Sequence, residues 1–197
     1  MPTAPLLVLA SASPRRRELL AAAGLEFDVI PSHVPEELAS HEAPSDYVTR
    51  LSREKAEEIA RQHPSRWIIA ADTIVVLGET ILEKPSDEAD AERMLAAIAG
   101  RTHVVYTGVT LRNAEARYAD TAVDTTEVTM MPLTDQQIRW YVATGEPLDK
   151  AGAYAVQGIG AMIVDRIDGN YTNVVGLPLA TLSRMLERAG LGPLGPR

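Results

Sequence analysis

Small hydroxyl residues followed by arginines lie near the start of the chain, at Ser11-Ala12-Ser13-Pro14-Arg15-Arg16. The apolar residues before them predict a strand, and Ser13 followed by Pro14 is typical of a helix start. Free backbone N–H groups, the positive end of the helix dipole and guanidinium groups would then converge on one point. Because arginine opposes the helix dipole at this end, the cluster indicates an anionic ligand. The alternative is a solvated basic helix start beside Glu18.

Lysine is scarce in this chain, since only Lys55, Lys84 and Lys150 among the 19 basic residues are lysines. In a chain that otherwise uses arginine, these positions are candidates for a compact point charge on a phosphate oxygen. Lys55 falls on a predicted helix, Lys84 precedes Pro85 in a predicted loop, and Lys150 lies in a predicted turn. An ordinary surface role remains open for each.

Three carboxylates complete the candidate chemistry. Asp72 follows a buried strand predicted over residues 67–71, and the carboxyl ends of strands are where α/β sheets place ligands. Such a carboxylate commonly holds a divalent metal or acts as a general base, although a helix cap or turn is the alternative. Glu36 and Glu37 add carboxylates in an early loop, where an ordinary surface role is the alternative. With the basic residues, this set indicates phosphate plus metal.

Other catalytic signatures are missing or incomplete. The chain has no Gly-Lys pair for a P-loop, no Gly-x-Ser-x-Gly and no His-Glu-x-x-His. Gly158-Ile159-Gly160 lacks the third glycine of a dinucleotide fingerprint, and Ser52-x-x-Lys55 lies in a predicted helix without a Lys-Thr-Gly partner. The histidines lack metal-ligand spacing, and we predict them at the surface or in loops: His33, His41, His63 and His103.

Composition narrows the class of protein. The 197 residues include 27 acidic and 19 basic side chains, for a net charge of −8, and aromatic residues make up 5%. This balance argues against a nucleic-acid polymer as partner, while a local basic pocket can still bind a small anion. The absence of cysteine excludes disulfides, thiolate zinc sites and cysteine nucleophiles. With neither a secretory signal pattern nor an apolar run of about 20 residues, we expect a soluble cytoplasmic protein.

The elements that must position these residues alternate between strands and helices, which predicts an α/β or mixed α+β fold. We predict strands over 6–10, 27–30 and 67–71, a hairpin over 75–82, and a β-rich stretch over 103–130 broken near 113–115. Predicted helices begin at Ser13, Ser45, Ser86 and, through a Thr134-x-x-Gln137 capping box, at Thr134, and the last follows Pro178. Without a separating linker, residues 1–190 form one predicted domain, and 191–197 form a predicted disordered tail.

Several long, ordered motifs lie along the chain. They are Leu9–Leu20, Ala71–Val76, Gly100–Gly108, Gly145-Glu-Pro, Asp149–Tyr154 through Gln157-Gly158, and Asn173–Pro178. Through these motifs the chain, from Leu6 to Leu186, resembles the Maf family of nucleoside triphosphate pyrophosphatases, also called septum formation inhibitors.

The resemblance implies a twisted mixed sheet in two lobes with a central cleft, similar to the inosine triphosphate pyrophosphatases, and often a homodimer. It implies hydrolysis of a nucleoside triphosphate to the monophosphate and pyrophosphate with Mg²⁺ or Mn²⁺. Asp72 matches the proton acceptor and Glu36 an acidic position near the metal, so both are candidate metal ligands. The positions that match phosphate contacts are Ser11, Arg16, Lys55 and Lys84.

Three positions separate the subfamilies. The subfamily acting on dTTP and UTP resembles this chain at Arg15, Thr73 and Gln157, whereas the one acting on 7-methyl-GTP has Trp or Tyr, Gln and Glu there. A glutamine amide can pair with both a donor and an acceptor on a pyrimidine edge, which agrees with the first assignment.

Two departures from the family pattern concern loops. Pro35 stands where an aspartate is usual, which removes one possible metal ligand, and Asn170 replaces the commoner Asp or Ser. Three alternatives stay open: a nucleotide sensor that acts on the division machinery without essential catalysis, a phosphatase that releases orthophosphate, and 7-methyl-GTP specificity.

Overall fold

Apolar runs and well-marked turns define most elements of the computed structural model, which describes residues 6–40 and 42–192. The strands are β1 Leu7–Leu9, β2 Phe27–Val29, β3 Trp67–Leu77, β4 Thr80–Leu82, β5 Thr102–Asn113, β6 Tyr118–Met130 and β7 Val164–Asp168. The helices are α1 Pro14–Ala22, α2 Pro44–Gln62, α3 Glu88–Ile98, α4 Asp135–Val142, α5 Tyr171–Val175 and α6 Leu179–Arg188. His41 and most of the predicted tail, residues 193–197, lie outside the described residues.

The strands form a seven-stranded mixed sheet in the order β2-β1-β3-β5-β6-β7, with β4 paired to β3. β1 runs parallel to β2 and to β3, and its Leu9 is aligned with Ile69. β3 and β4 form an antiparallel hairpin, and β6 and β7 form an antiparallel pair. The predicted mixed α/β fold is therefore confirmed.

Helix starts agree with the sequence in part. The capping box at Thr134 is present, Ser13 is the residue before α1, and α6 follows Pro178. The predicted starts at Ser45 and Ser86 are wrong. α2 begins at Pro44, whose missing N–H suits the first turn, and α3 is capped by Asp87, whose carboxylate accepts from the backbone N–H of Asp90 at 2.8 Å.

The described chain divides into two compact units. The first comprises the residues up to Asp72, Thr107–Asp124 and the residues from Gly176 on, and the second comprises Thr73–Tyr106 and Thr125–Val175. Each unit has its own buried apolar core. That of the first includes Leu9, Leu20, Ile59, Ile69, Leu111 and Leu182, and that of the second includes Leu95, Ile98, Val128, Met130 and Tyr141.

Within the first unit, Gly108 allows α2 to lie close against β5. A Cβ atom at this position would overlap the backbone carbonyl of Val48 on α2. The backbones can approach this closely because glycine has no side chain. This packing places the face of α2 that carries Lys55 against the sheet.

Candidate active site

Lys55 joins two carboxylates at the centre of the candidate site. Its Nζ donates to Oδ1 of Asp72 at 2.6 Å and to Oε1 of Glu36 at 2.5 Å. Lys55 and Asp72 are buried, while the Glu36 side chain is 45% exposed. The structure thus brings together three residues that the sequence singled out separately, with one carboxylate directed into the protein and one open to solvent.

Asp72 lies within a strand, and the prediction that the strand ends just before it is wrong. β3 continues for five residues past Asp72, because the β-branched residues Thr73, Ile74, Val75 and Val76 favour extended backbone. The neighbouring strand β1 ends at Leu9, which is aligned with Ile69 of β3. Asp72 has strand residues before and after it in the chain. This regular backbone fixes its carboxylate more firmly than a turn would.

Lys55 is positioned by α2, whose buried face has the spacing that the sequence predicts. One turn before Lys55, the hydroxyl of Ser52 forms hydrogen bonds to the carbonyl of Thr49 at 3.0 Å and to the hydroxyl of Thr110 on β5 at 2.9 Å. These bonds satisfy the buried hydroxyl and tie the helix to the sheet next to the site.

The loop that carries Glu36 is fastened to α2 by side chains that the sequence analysis missed. One oxygen of the Glu58 carboxylate accepts from the Ser32 hydroxyl at 2.5 Å and from the backbone N–H of His33 at 2.9 Å. Arg50 donates to the carbonyl of Glu37 at 2.9 Å and pairs with Glu42 at 2.7 Å. The sequence carries no local signal for these contacts, because the partners lie 8–26 residues apart along the chain.

Arg16 and Ser11, from the segment expected to bind an anion, contact each other in the structure. The Arg16 guanidinium donates through Nε to the carbonyl of Gly176 at 2.8 Å and through NH1 to the Ser11 hydroxyl at 3.1 Å. Ser11 Oγ additionally accepts from the backbone N–H of Ser13 at 3.2 Å. A guanidinium held by two different acceptors has a fixed plane, as needed for forked recognition of a phosphate.

Electrostatics connects this cluster with the carboxylates. Burial lowers the pKa of Arg16 below its ordinary value, and the charges of Asp72 and Glu36 partly offset that effect. Arg16 therefore lies within electrostatic reach of both carboxylates, and the candidate site of the first unit contains two cations and two anions. Such a site can bind a polyanion and hold a carboxylate close to it.

The remaining predicted site residues are divided between the units. Arg15 lies half-buried in α1 of the first unit. Thr73, Lys84 and Gln157 belong to the second unit: Thr73 follows Asp72 in β3, Lys84 is exposed after β4, and Gln157 is half-buried before a 3₁₀ turn over Gly158–Met162.

His103 corrects the expectation that the histidines lie at the surface or in loops. It is 1% exposed in β5, and its Nε2 lies 2.8 Å from the Tyr154 hydroxyl. Burial lowers the pKa of His103 to about 4, so this imidazole is neutral at physiological pH. Its place in the alternating buried positions of the β-rich stretch was the missed signal.

The donors at the site suit a hard divalent cation. In the described ranges 6–40 and 42–192, no group of three or more histidine, aspartate or glutamate side chains is arranged to hold a metal ion. Asp72 and Glu36 nevertheless place carboxylate oxygens within 2.6 Å of the same ammonium nitrogen. Two carboxylates with water and phosphate oxygens form a ligand set that Mg²⁺ commonly accepts, so these residues fit the metal that the resemblance implies.

Known proteins similar to this chain identify its family. Residues 6–189 match the family described as Maf-like protein. The chain belongs to the Maf family. It is similar to the dTTP/UTP pyrophosphatases of Geobacter sulfurreducens, Myxococcus xanthus and Anaeromyxobacter dehalogenans. The identities are 53%, 51% and 53%, and the alignments cover 93%, 94% and 95% of this chain and 96%, 93% and 95% of the relatives.

Among solved structures, the Ham1 protein of Staphylococcus aureus is similar at a TM-score of 0.54 and 14% identity, covering 93% of this chain and 98% of that one. At that identity the likeness concerns the fold alone, and it agrees with the mixed α/β fold expected from the sequence. Within the described residues, no helix combines the length and the apolar character needed to cross a membrane.

Proposed function

We propose that this member of the Maf family is a nucleoside triphosphate pyrophosphatase that hydrolyses dTTP and UTP to the monophosphate and pyrophosphate. The names of relatives at 50–53% identity over nearly the whole chain support this activity. The observation that carries it is the buried Lys55–Asp72 pair, which has Glu36 on the same ammonium group and Arg16 within electrostatic reach.

In the proposed reaction, Asp72 takes a proton from the water that attacks the α-phosphorus. Lys55 donates to Oδ1 of Asp72 and orients the carboxylate so that Oδ2 can accept this proton. The water oxygen forms a bond to phosphorus as the bond to the bridging oxygen breaks, and pyrophosphate leaves. Asp72 is therefore the proposed catalytic residue.

Cationic side chains would stabilise the charge that develops on the phosphates. Arg16 offers a guanidinium of fixed orientation near Ser11, and Lys55 and Lys84 supply ammonium groups. Asp72 and Glu36 would hold a divalent metal, Mg²⁺ or Mn²⁺, which when bound supplies charge neutralisation on phosphate oxygens.

Nucleobase recognition is proposed for Arg15, Thr73 and Gln157. These residue types agree with the pyrimidine subfamily at every one of the three positions, and the relatives named above carry that activity in their names. The resemblance also supports a homodimer, and a single domain over residues 1–190 and a cytoplasmic location are further proposals.

A nucleotide panel with separate measurement of pyrophosphate and orthophosphate tests the function. dTTP and UTP should release pyrophosphate faster than GTP and 7-methyl-GTP do, whereas orthophosphate as the first product would indicate a phosphatase. Asp72→Asn should lower turnover about 10²–10⁴-fold while nucleotide binding persists. Asp165→Asn, at an exposed position of β7, is the matched control. Unchanged turnover in Asp72→Asn would favour the nucleotide sensor instead.

A further inference from the structure

Glu146 is the acceptor for three hydrogen bonds inside the second unit. Its Oε1 accepts from the Tyr141 hydroxyl and from the backbone N–H of Gly160, both at 2.8 Å. Its Oε2 accepts from the backbone N–H of Ile159 at 3.0 Å. Both carboxylate oxygens are therefore engaged, and two of the three donors belong to the 3₁₀ turn over Gly158–Met162.

These donors require an ionised carboxylate. Burial raises the pKa of Glu146, but the bonds from Tyr141, Gly160 and Ile159 and the charge of Lys150 outweigh it, so the pKa lies below its ordinary value. A glutamine would offer one acceptor oxygen, and its NH₂ group would face a backbone N–H. The three hydrogen bonds therefore require an ionised carboxylate at position 146.

The same network holds the chain on both sides of Gln157. Before it, the backbone N–H of Ala155 donates to the Tyr141 hydroxyl at 3.1 Å. After it, Gly158 has a φ of +63°, and a Cβ there would lie 2.5 Å from Oε2 of Glu146. The chain can leave Gln157 in this direction because residue 158 is glycine, which tolerates the positive φ and leaves room for the Glu146 carboxylate.

We propose that Glu146 is a positioning residue that fixes the direction of the Gln157 side chain and thereby contributes to nucleobase selection. This inference rests on the proposed function, in which Gln157 contacts the base of dTTP or UTP. Glu146 acts through the turn at Gly158–Gly160 and touches neither the reacting phosphates nor the attacking water. A glutamine can distinguish pyrimidine edges only when its amide is presented at a fixed angle, since hydrogen bonds weaken steeply with misalignment.

A double-mutant cycle between Glu146→Gln and Gln157→Ala tests the proposal, with Glu127→Gln at an exposed position of β6 as the control. Glu146→Gln should raise the KM for UTP about tenfold and change kcat less than about twofold, as loss of alignment affects binding. In the Gln157→Ala background the same change should have no further effect. Tyr141→Phe, which removes one donor and keeps the carboxylate, should reproduce part of the rise in KM.

Amide hydrogen exchange without nucleotide supplies a readout independent of activity. Exchange at Ile159 and Gly160 should be faster in Glu146→Gln than in the unchanged protein and in Glu127→Gln. Additive effects in the cycle, an equal fall in kcat on every nucleotide, or unchanged exchange would each overturn the proposal. If the unchanged protein releases no pyrophosphate from UTP, the proposed function fails, and the exchange rates alone decide whether Glu146 holds the turn.

Discussion

Lys55 and Asp72 form an ion pair of 2.6 Å between Nζ and Oδ1, and their side chains are only 7% and 8% exposed. The two residues lie 17 positions apart, on α2 and β3. A buried carboxylate is costly without a partner, so the pair connects the stability of the first unit with the chemistry proposed for it.

Lys55→Met removes the charge and keeps the aliphatic length. Asp72 then remains buried without its ammonium partner, and the free energy of unfolding should fall by about 3–5 kcal/mol. Urea denaturation of the variant measures this. Arg61→Met is the control on the same helix, because its pair with Glu57 is exposed and should contribute at most about 1 kcal/mol.

The double variant Lys55→Met with Asp72→Asn separates stability from catalysis. It removes both charges, so it should recover part of the stability that Lys55→Met loses while turnover stays low. A double variant that is less stable than Lys55→Met would contradict the account of the pair.

Arg16→Lys tests the fixed guanidinium. Lysine keeps the positive charge but cannot bond to the Gly176 carbonyl and the Ser11 hydroxyl with two nitrogens of one plane. We expect the KM for dTTP to rise about tenfold or more, measured by pyrophosphate release at varied nucleotide concentration. Arg17→Lys, the exposed neighbour in α1, should leave KM unchanged. Equal KM values in the two variants would remove Arg16 from the proposed phosphate site.

Substrate preference should move when the three subfamily positions are exchanged. The triple variant Arg15→Trp, Thr73→Gln, Gln157→Glu should lose activity on UTP and gain it on 7-methyl-GTP, because a glutamate suits a cationic methylated purine. The measurement is the ratio of kcat/KM for the two nucleotides. An unchanged ratio in a folded triple variant would show that other residues select the base.

His103 predicts a pH dependence of stability. Its pKa is about 4 in the folded chain because of burial, compared with 6.5 for an unperturbed histidine. As the pH decreases, His103 is protonated in the unfolded chain at a higher pH than in the folded chain. The free energy of unfolding therefore falls as the pH decreases from about 6.5 towards 4, by roughly 3 kcal/mol in total. The change is complete below the folded pKa and absent above about pH 7.

His103→Gln provides the comparison, because other carboxylates also titrate at low pH. The variant keeps a hydrogen-bonding group near Tyr154 and removes the titrating imidazole. The difference in unfolding free energy between the two proteins should change between pH 6.5 and 4.5 by about 1.4 kcal/mol per pH unit at most. A constant difference across this range would contradict the lowered pKa.

Local features were predictable where the signal lies within a few residues. The Thr134 side chain caps its own helix, Gly78 has the positive φ of the turn between β3 and β4, and Pro14 occupies the first turn of α1 after Ser13. The starts of α2 and α3 were misplaced because Pro44 and Asp87 compete with adjacent serines, and the local pattern does not rank them.

The sequence alone determined the family, the mixed α/β fold and the residue types proposed for the chemistry, because these are carried by ordered motifs. Only the tertiary structure decided which residues contact each other. Glu36 and Asp72 both accept from the Lys55 ammonium group, and Arg16 donates to the carbonyl of Gly176, 160 residues away. It also decided that β3 continues through Asp72 and that His103 is buried. The reason is physical, since such contacts depend on strand register and on the packing of α2 against the sheet, which no local spacing encodes.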